Sequence, residues 1–182
     1  MTKPESSKSG LTVVLVLLGA IVFGLVGLPR FAREPLVGTQ PKDFALPRLE
    51  SMGPGGAPGK PVKLSELAGK GVILDFWASW CLPCREQAPI VDKVAQSFSG
   101  RDLVVVGVVV DDEPADARRF LAAHPVRYPS VVDEQRDVAR AFGVHALPTL
   151  VALDRAGRVV AVRRAVVREA ELTEIAEAAL KE

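Results

Sequence analysis

The chain has 182 residues, of which 48% are hydrophobic and 25% are charged. This composition allows a packed core and argues against disorder. The 23 basic and 22 acidic residues leave a net charge of +1, which gives no electrostatic case for nucleic-acid binding. Cys81 and Cys84 are the only two cysteines, too few and too close together for a scaffold held by disulfides.

The N-terminal part of the sequence contains one long apolar run. Residues 11–28 include a single polar residue, Thr12, and a helix of that length spans roughly 27 Å, close to the ~30 Å hydrocarbon core of a bilayer. We predict an uncleaved transmembrane anchor at 11–28 behind a cytoplasmic tail at 1–10. A cleaved signal peptide is the alternative, although the run is long for one and no clean cleavage site follows it. The basic residues on the two sides of the run nearly balance, so charge alone does not decide the orientation.

A linker and a small hairpin are predicted after the anchor. Three prolines punctuate residues 29–42, which indicates an extended linker. The domain is then predicted over 43–182. It begins with short strands at 44–46 and 62–64, which flank a loop rich in glycine and proline at 51–61.

Strand and helix patterns alternate through the rest of the domain. The run at 103–110 is apolar at every position except Gly107, as in a strand buried on both faces of a parallel sheet. Alternation of this kind predicts an α/β fold with a mixed sheet and helices on both faces. The predicted strands are 72–77, 103–110, 130–132, 149–153 and 158–163, and the predicted helices are 82–98, 114–123, 134–142 and 169–181.

The two cysteines lie where a predicted strand passes into a predicted helix. In the segment WCLPCR, Cys81 falls at the helix N-terminus, where backbone amides stabilise a thiolate. Only the thiolate attacks a disulfide, and Cys84 lies one turn later, close enough to resolve the resulting mixed disulfide. Pro83 fixes φ in the first turn, where its missing N–H costs nothing. Redox chemistry is therefore favoured over half of a zinc site, which would need two further ligands, and over an inert disulfide.

These residues resemble the thioredoxin superfamily. WCLPCR after VILDFWAS, followed by GVHALPTL, is most similar to the membrane-anchored TlpA/ResA-type thiol–disulfide oxidoreductases, which include cytochrome c maturation proteins. The resemblance covers about residues 42–180. It implies a thioredoxin-like fold, a catalytic domain on the extracytoplasmic (periplasmic) side of the membrane, protein disulfides or dithiols as substrates, and a membrane-embedded electron donor. No cofactor and no metal are predicted.

Asp75 is the third predicted catalytic residue. A carboxylate in an apolar strand is costly to bury without partners, and the position matches the buried acid of thioredoxins. The resemblance therefore implies a carboxyl group with a raised pKa that exchanges a proton with Cys84 through water. The alternative is an aspartate that points into solvent from a strand edge. Many TlpA/ResA-type sequences carry Asn at this place, so the chain resembles thioredoxins proper here.

Trp80, Pro83, Leu147 and Pro148 are the predicted substrate-binding residues. An isolated X-Pro bond would be expected to be trans, but the match of GVHALPT to the family motif implies a cis Pro148 beside Cys81. The backbone of Leu147 would then offer an edge to an extended client segment. Trp80 is expected to wall the site, with simple packing as the alternative.

Two further positions qualify this interpretation. Family members tend to carry Glu after the second cysteine where this chain has Gln87, and Glu86 is about 100° away around the helix, so the tuning of the cysteines is expected to differ. His145 is close enough in sequence to Pro148 to approach the thiols, although it is also typical of a loop histidine without a role.

The leading functional hypothesis is an enzyme that reduces disulfides of exported proteins, with apocytochrome c as a candidate client. The first alternative is a peroxiredoxin-like peroxidase, but such enzymes need Thr at the position of Ala78. The second alternative is a copper-delivery protein that uses the two thiols and His145, since cuprous ion favours thiolates.

Overall fold

The computed structural model describes residues 36–51 and 59–181. The predicted tail at 1–10 and anchor at 11–28 lie outside the described residues. No helix within the two described ranges is long and apolar enough to cross a membrane.

The first described residues form a small hairpin and a backbone contact with the last strand of the chain. Strands β1 (Ala45–Leu46) and β2 (Val62–Lys63) pair antiparallel, as the hairpin pattern predicts. The part of the predicted linker that is described binds strand β7 (Val159–Arg163): Gly38 donates its N–H to the carbonyl of Val159 over 2.7 Å, and Val159 donates its N–H to the carbonyl of Thr39 over 2.9 Å.

The central sheet has five strands in the order β5-β4-β3-β6-β7. Strand β3 (Gly71–Trp77) occupies the centre and is buried at every position. It runs parallel to β4 (Leu103–Val109), which runs parallel to β5 (Ser130–Val132), and antiparallel to β6 (Thr149–Leu153). Strand β7 closes the other edge antiparallel to β6. The predicted mixed α/β sheet is confirmed.

Apolar side chains alternate between the two faces of β3 because successive residues of a strand point in opposite directions. The helices that cover the sheet are α1 (Leu82–Ser97), α2 (Pro114–Ala123), α3 (Asp137–Ala141) and α4 (Glu169–Ala179). Ile73 packs with buried residues of α1 and α4, whereas Leu74 and Phe76 pack with residues of α3 and with Phe142. The ring of Phe120 of α2 lies 4.9 Å from the ring of Trp77.

The predicted start of helix α3 at residue 134 is wrong. The helix begins at Asp137 because the buried carboxylate of Asp133 accepts the backbone N–H groups of Val138, over 3.3 Å, and Ala139, over 2.7 Å. Arg136 precedes the helix with a left-handed φ of 59°. A capping carboxylate thus takes the N–H groups that an earlier turn of helix would have used.

Candidate active site

Cys81 is the N-cap residue of α1. Its sulfur accepts the backbone N–H of Cys84 over 3.2 Å, and the two cysteines form a disulfide with an S–S distance of 2.02 Å. Pro83 lies in the first turn of the helix, as predicted. The first amides of a helix carry partial positive charge, so this position lowers the free energy of a Cys81 thiolate once the disulfide is reduced.

The turn that leads into Cys81 is held by the residues that follow β4. Ser79 donates its backbone N–H and its hydroxyl to the carboxylate of Asp112 over 2.6 and 2.9 Å. The indole N–H of Trp80 donates to the carbonyl of Asp111 over 2.8 Å. Our sequence reasoning missed both aspartates. Both aspartates come soon after β4, which runs parallel to β3. The carboxyl ends of parallel strands lie at the same end of a sheet, so this placement was the available signal that they lie near Cys81.

Two exposed apolar side chains flank the disulfide. Cys81 and Cys84 are each 3% exposed, whereas Trp80 is 59% exposed and Leu82 is 67% exposed. Among the described residues, Val37 is the one other large hydrophobic side chain that is exposed, so the two beside the disulfide form a candidate binding surface. An apolar surface therefore lies directly beside Cys81, whose sulfur would react with the disulfide of another molecule.

The segment before β6 lies beside the cysteines. The peptide bond between Leu147 and Pro148 is cis, as the family motif implied. Thr149 pairs with Phe76 near the end of β3. Pro148 therefore lies at the same end of the sheet as the turn that connects β3 to Cys81. Leu147 packs against the buried cluster that contains both cysteines.

Asp75 is buried on the central strand and is 3% exposed, which excludes a position at an exposed strand edge. Burial raises the pKa of its carboxyl group from 3.8 to about 6, because the anion loses its hydration. Hydrogen bonds from Gln87 and Tyr128 stabilise the anion and lower the pKa, and the value of about 6 is the net result of both effects. Asp75 is therefore mostly ionised at neutral pH and can accept a proton there.

Gln87, which departs from the family pattern, is one of the two donors to Asp75. Its side chain is 1% exposed and lies three residues after Cys84 on the buried face of α1, whereas Glu86 is exposed. The second donor, Tyr128, was missed by sequence analysis. The weak signal for it was a single tyrosine in the chain, placed just before a predicted strand, since a buried phenol usually finds a polar partner.

The residues of the two alternative functions are not assembled at the dithiol. His145 is exposed, and among the described residues no group of three or more His, Cys, Asp or Glu side chains is arranged to hold a metal ion. Ala78 is fully buried next to the cysteines and offers no hydroxyl at the place where a peroxidase would need one.

A dithiol at the N-terminus of a helix, with a cis proline at the same sheet edge and a buried carboxyl group on the central strand, defines a thiol–disulfide oxidoreductase of the thioredoxin fold. The chain belongs to the Redoxin family, whose profile matches residues 37–180, and it is a ResA-type protein of the thioredoxin superfamily.

Relatives and solved structures agree with this class. The thiol-disulfide oxidoreductase ResA of Geobacillus thermodenitrificans is 30% identical over 150 residues, which cover 81% of this chain and 82% of that protein. ResA of Bacillus subtilis is 36% identical over 104 residues, which cover 57% of this chain and 58% of that protein. A Chlorobium tepidum structure provisionally assigned as a thiol:disulfide interchange protein DsbE is 32% identical, with a TM-score of 0.70, and the match covers 79% of this chain and 96% of that one.

Proposed function

We propose that this protein is a membrane-anchored reductase that transfers two electrons from the Cys81–Cys84 dithiol to disulfides of exported proteins, apocytochrome c among them. The observation that carries the proposal is the sulfur of Cys81 at the N-terminus of α1, with the N–H of Cys84 directed at it. The apolar run at 11–28 supports the anchor, and the resemblance of WCLPCR and GVHALPTL to the TlpA/ResA type supports an extracytoplasmic domain.

The reaction consists of two exchanges of sulfur partners. The thiolate of Cys81 attacks one sulfur of the client disulfide, which breaks the client S–S bond and forms a mixed disulfide. Cys84 then gives its proton to the carboxylate of Asp75 through a water molecule. Its thiolate attacks the sulfur of Cys81, the bond between Cys81 and the client breaks, and the client leaves with both cysteines reduced. A membrane-embedded dithiol donor returns the enzyme to the reduced state.

The client docks on the exposed side chains around Cys81. Trp80 supplies apolar area, Pro83 fixes the backbone of the first turn of α1 beside Cys81, and the backbone of Leu147 next to Pro148 offers hydrogen-bonding groups to an extended segment. Each of these residues lies at the sheet edge that carries the disulfide.

Trapping of the mixed disulfide tests the reductase mechanism. The reduced full-length chain in detergent is mixed with a peptide that carries a C-x-x-C-H disulfide, the haem-attachment sequence of c-type cytochromes, and with insulin as a general client. We expect Cys84→Ser to accumulate a covalent adduct and Cys81→Ser to form none. Full reduction activity in the Cys81→Ser variant would contradict the mechanism, and reduction of insulin without reduction of the C-x-x-C-H peptide would contradict the apocytochrome assignment.

Cysteine labelling in whole cells tests on which side of the inner membrane the catalytic domain lies. A membrane-impermeant maleimide should modify the cysteines of the reduced protein in cells whose outer envelope has been permeabilised and whose inner membrane is intact. Modification only after lysis of the inner membrane would contradict an extracytoplasmic domain.

A further inference from the structure

Asp75 receives one hydrogen bond on each of its carboxylate oxygens. The amide Nε2 of Gln87 lies 2.7 Å from Oδ1, and the hydroxyl of Tyr128 lies 3.1 Å from Oδ2. Gln87 is 1% exposed and Tyr128 is 8% exposed, so water does not replace these donors readily. Two neutral donors therefore do what hydration would do for an exposed carboxylate.

Both donors are fixed in that role. The backbone N–H of Val167 points at Oε1 of Gln87 over 3.4 Å, which directs the amide nitrogen toward Asp75. Burial, together with the negative charge of Asp75, raises the pKa of the Tyr128 hydroxyl above its ordinary value, so the phenol keeps its proton throughout the working range of pH.

The surroundings of Asp75 contain little charge that could substitute for these donors. Asp92 on α1 is the nearby buried acid, and Arg127 contacts its carboxylate through Nε over 3.2 Å and Nη2 over 2.9 Å. The side chains that the other packed elements bring to this face are apolar or absent: Leu150 on β6, Gly107 on β4, and Leu172 and Ile175 on α4. Cys84, the resolving cysteine, is buried on α1 one turn before Gln87.

We propose that Tyr128 and Gln87 are positioning residues that hold Asp75 in its ionised form and thereby set the pH above which Cys84 resolves the mixed disulfide. The proposal rests on the proposed function, since it concerns the second of its two exchanges. Only an ionised carboxylate can take the proton of Cys84. Without one donor, burial is opposed less, Asp75 stays protonated to higher pH, and resolution at neutral pH slows.

The test is the pH profile of client release in single-turnover experiments with the full-length reduced chain. Tyr128→Phe and Gln87→Met each remove one donor with little change in volume. We expect each to move the midpoint of the resolving step upward by about one pH unit or more, because a hydrogen bond to a charged group is strong enough for such a shift. Gln96→Met is the matched control. Gln96 lies on the same helix and donates to Asp92 over 2.7 Å, so its variant should leave the midpoint unchanged.

Two further measurements separate this role from a structural one. In the Asp75→Asn background, Tyr128→Phe should cause no additional shift, since the group through which Tyr128 acts is absent. In the Cys84→Ser background, Tyr128→Phe should leave the rate of mixed-disulfide formation unchanged, because that step uses Cys81 alone.

An unchanged midpoint in both donor variants would overturn the proposal, as would a shift that persists without Asp75. If a variant fails to fold, infrared titration of the Asp75 carboxyl in the other variant decides the matter: a midpoint equal to wild type overturns the proposal. Failure of the proposed function gives a different result, because the Cys84→Ser protein would then form no mixed disulfide at any pH.

Discussion

Asp75 on β3 pairs with Gly107 on β4, and Gly107 pairs in turn with Ser130 on β5, so the three residues form one row across the sheet. The row has no side chain at its middle position. A Cβ atom at Gly107 would lie 2.5 Å from Oγ of Ser130 and 2.8 Å from Nε1 of Trp77. Position 107 therefore requires glycine because of these two side chains, and not because of its own backbone conformation.

Gly107→Ala should destabilise the protein by about 1–3 kcal/mol through overpacking. Urea unfolding of the oxidised full-length chain in detergent measures the change. Ser130→Ala removes the nearer of the two contacts, which leaves Cβ of Ser130 at 3.4 Å. The double variant should therefore lose less stability than the sum of the single variants, and strict additivity would refute this packing explanation.

Asp75→Asn should stabilise the oxidised protein at alkaline pH. The folded pKa of about 6 lies above the ordinary 3.8, so the folded state binds more protons than the unfolded state between these values, and stability falls as pH rises through that window. The neutral variant avoids this loss, which amounts to about 3 kcal/mol above pH 6. We expect a gain of that order near pH 8 and little difference near pH 3.5, measured by urea unfolding. Equal effects at both pH values would contradict a raised pKa.

Trp80→Ala and Leu82→Ala should impair the reduction of proteins more than that of small disulfides. Both side chains are exposed next to Cys81, so their loss removes contact area for a large client and leaves the sulfur in place. We expect kcat/KM for insulin to fall about tenfold, equivalent to roughly 1.4 kcal/mol, and the rate with oxidised glutathione to stay within about twofold of wild type. Equal losses for both substrates would mean that these residues shape the dithiol itself.

Asp112→Ala should loosen the turn before Cys81. The carboxylate of Asp112 holds both the backbone N–H and the hydroxyl of Ser79. Hydrogen bonds to a charged group contribute about 1.5–3 kcal/mol each after exchange with water, and solvent competition at this half-buried site reduces their sum. We expect a loss of about 1–3 kcal/mol in the free energy of unfolding and slower insulin reduction. Glu113→Ala is the control, since the Glu113 side chain is exposed and makes no capping hydrogen bond at the start of α2. A control variant as impaired as Asp112→Ala would rule out a specific role.

Local patterns predicted most of the fold and the centre of the site. The position of Cys81 follows from a strand that hands over to a helix within a few residues, and the cis Pro148 followed from a family motif. Each of these two predictions depends on a short stretch of sequence, and the structure confirms both the position of Cys81 and the cis bond at Pro148.

Contacts between distant residues could not be predicted in the same way. Tyr128 meets Asp75 across 53 positions of the chain, and no periodicity connects the two. Gln87 stood out as a departure from the family, but its role appears only when the buried face of α1 is set against β3. The predicted start of α3 is wrong for a related reason. The carboxylate of Asp133 caps the helix from outside it, and the local helical pattern does not show this contact.

The ionisation of Cys81 in the reduced protein tests the central claim most directly. The rate of alkylation by iodoacetamide is followed against pH in the full-length Cys84→Ala variant, which keeps the backbone N–H that points at the sulfur. We predict a midpoint below about 7.5, compared with about 8.5 for a free cysteine. A midpoint near 8.5, together with no reaction toward external disulfides, would contradict the assignment of Cys81 as the attacking thiolate.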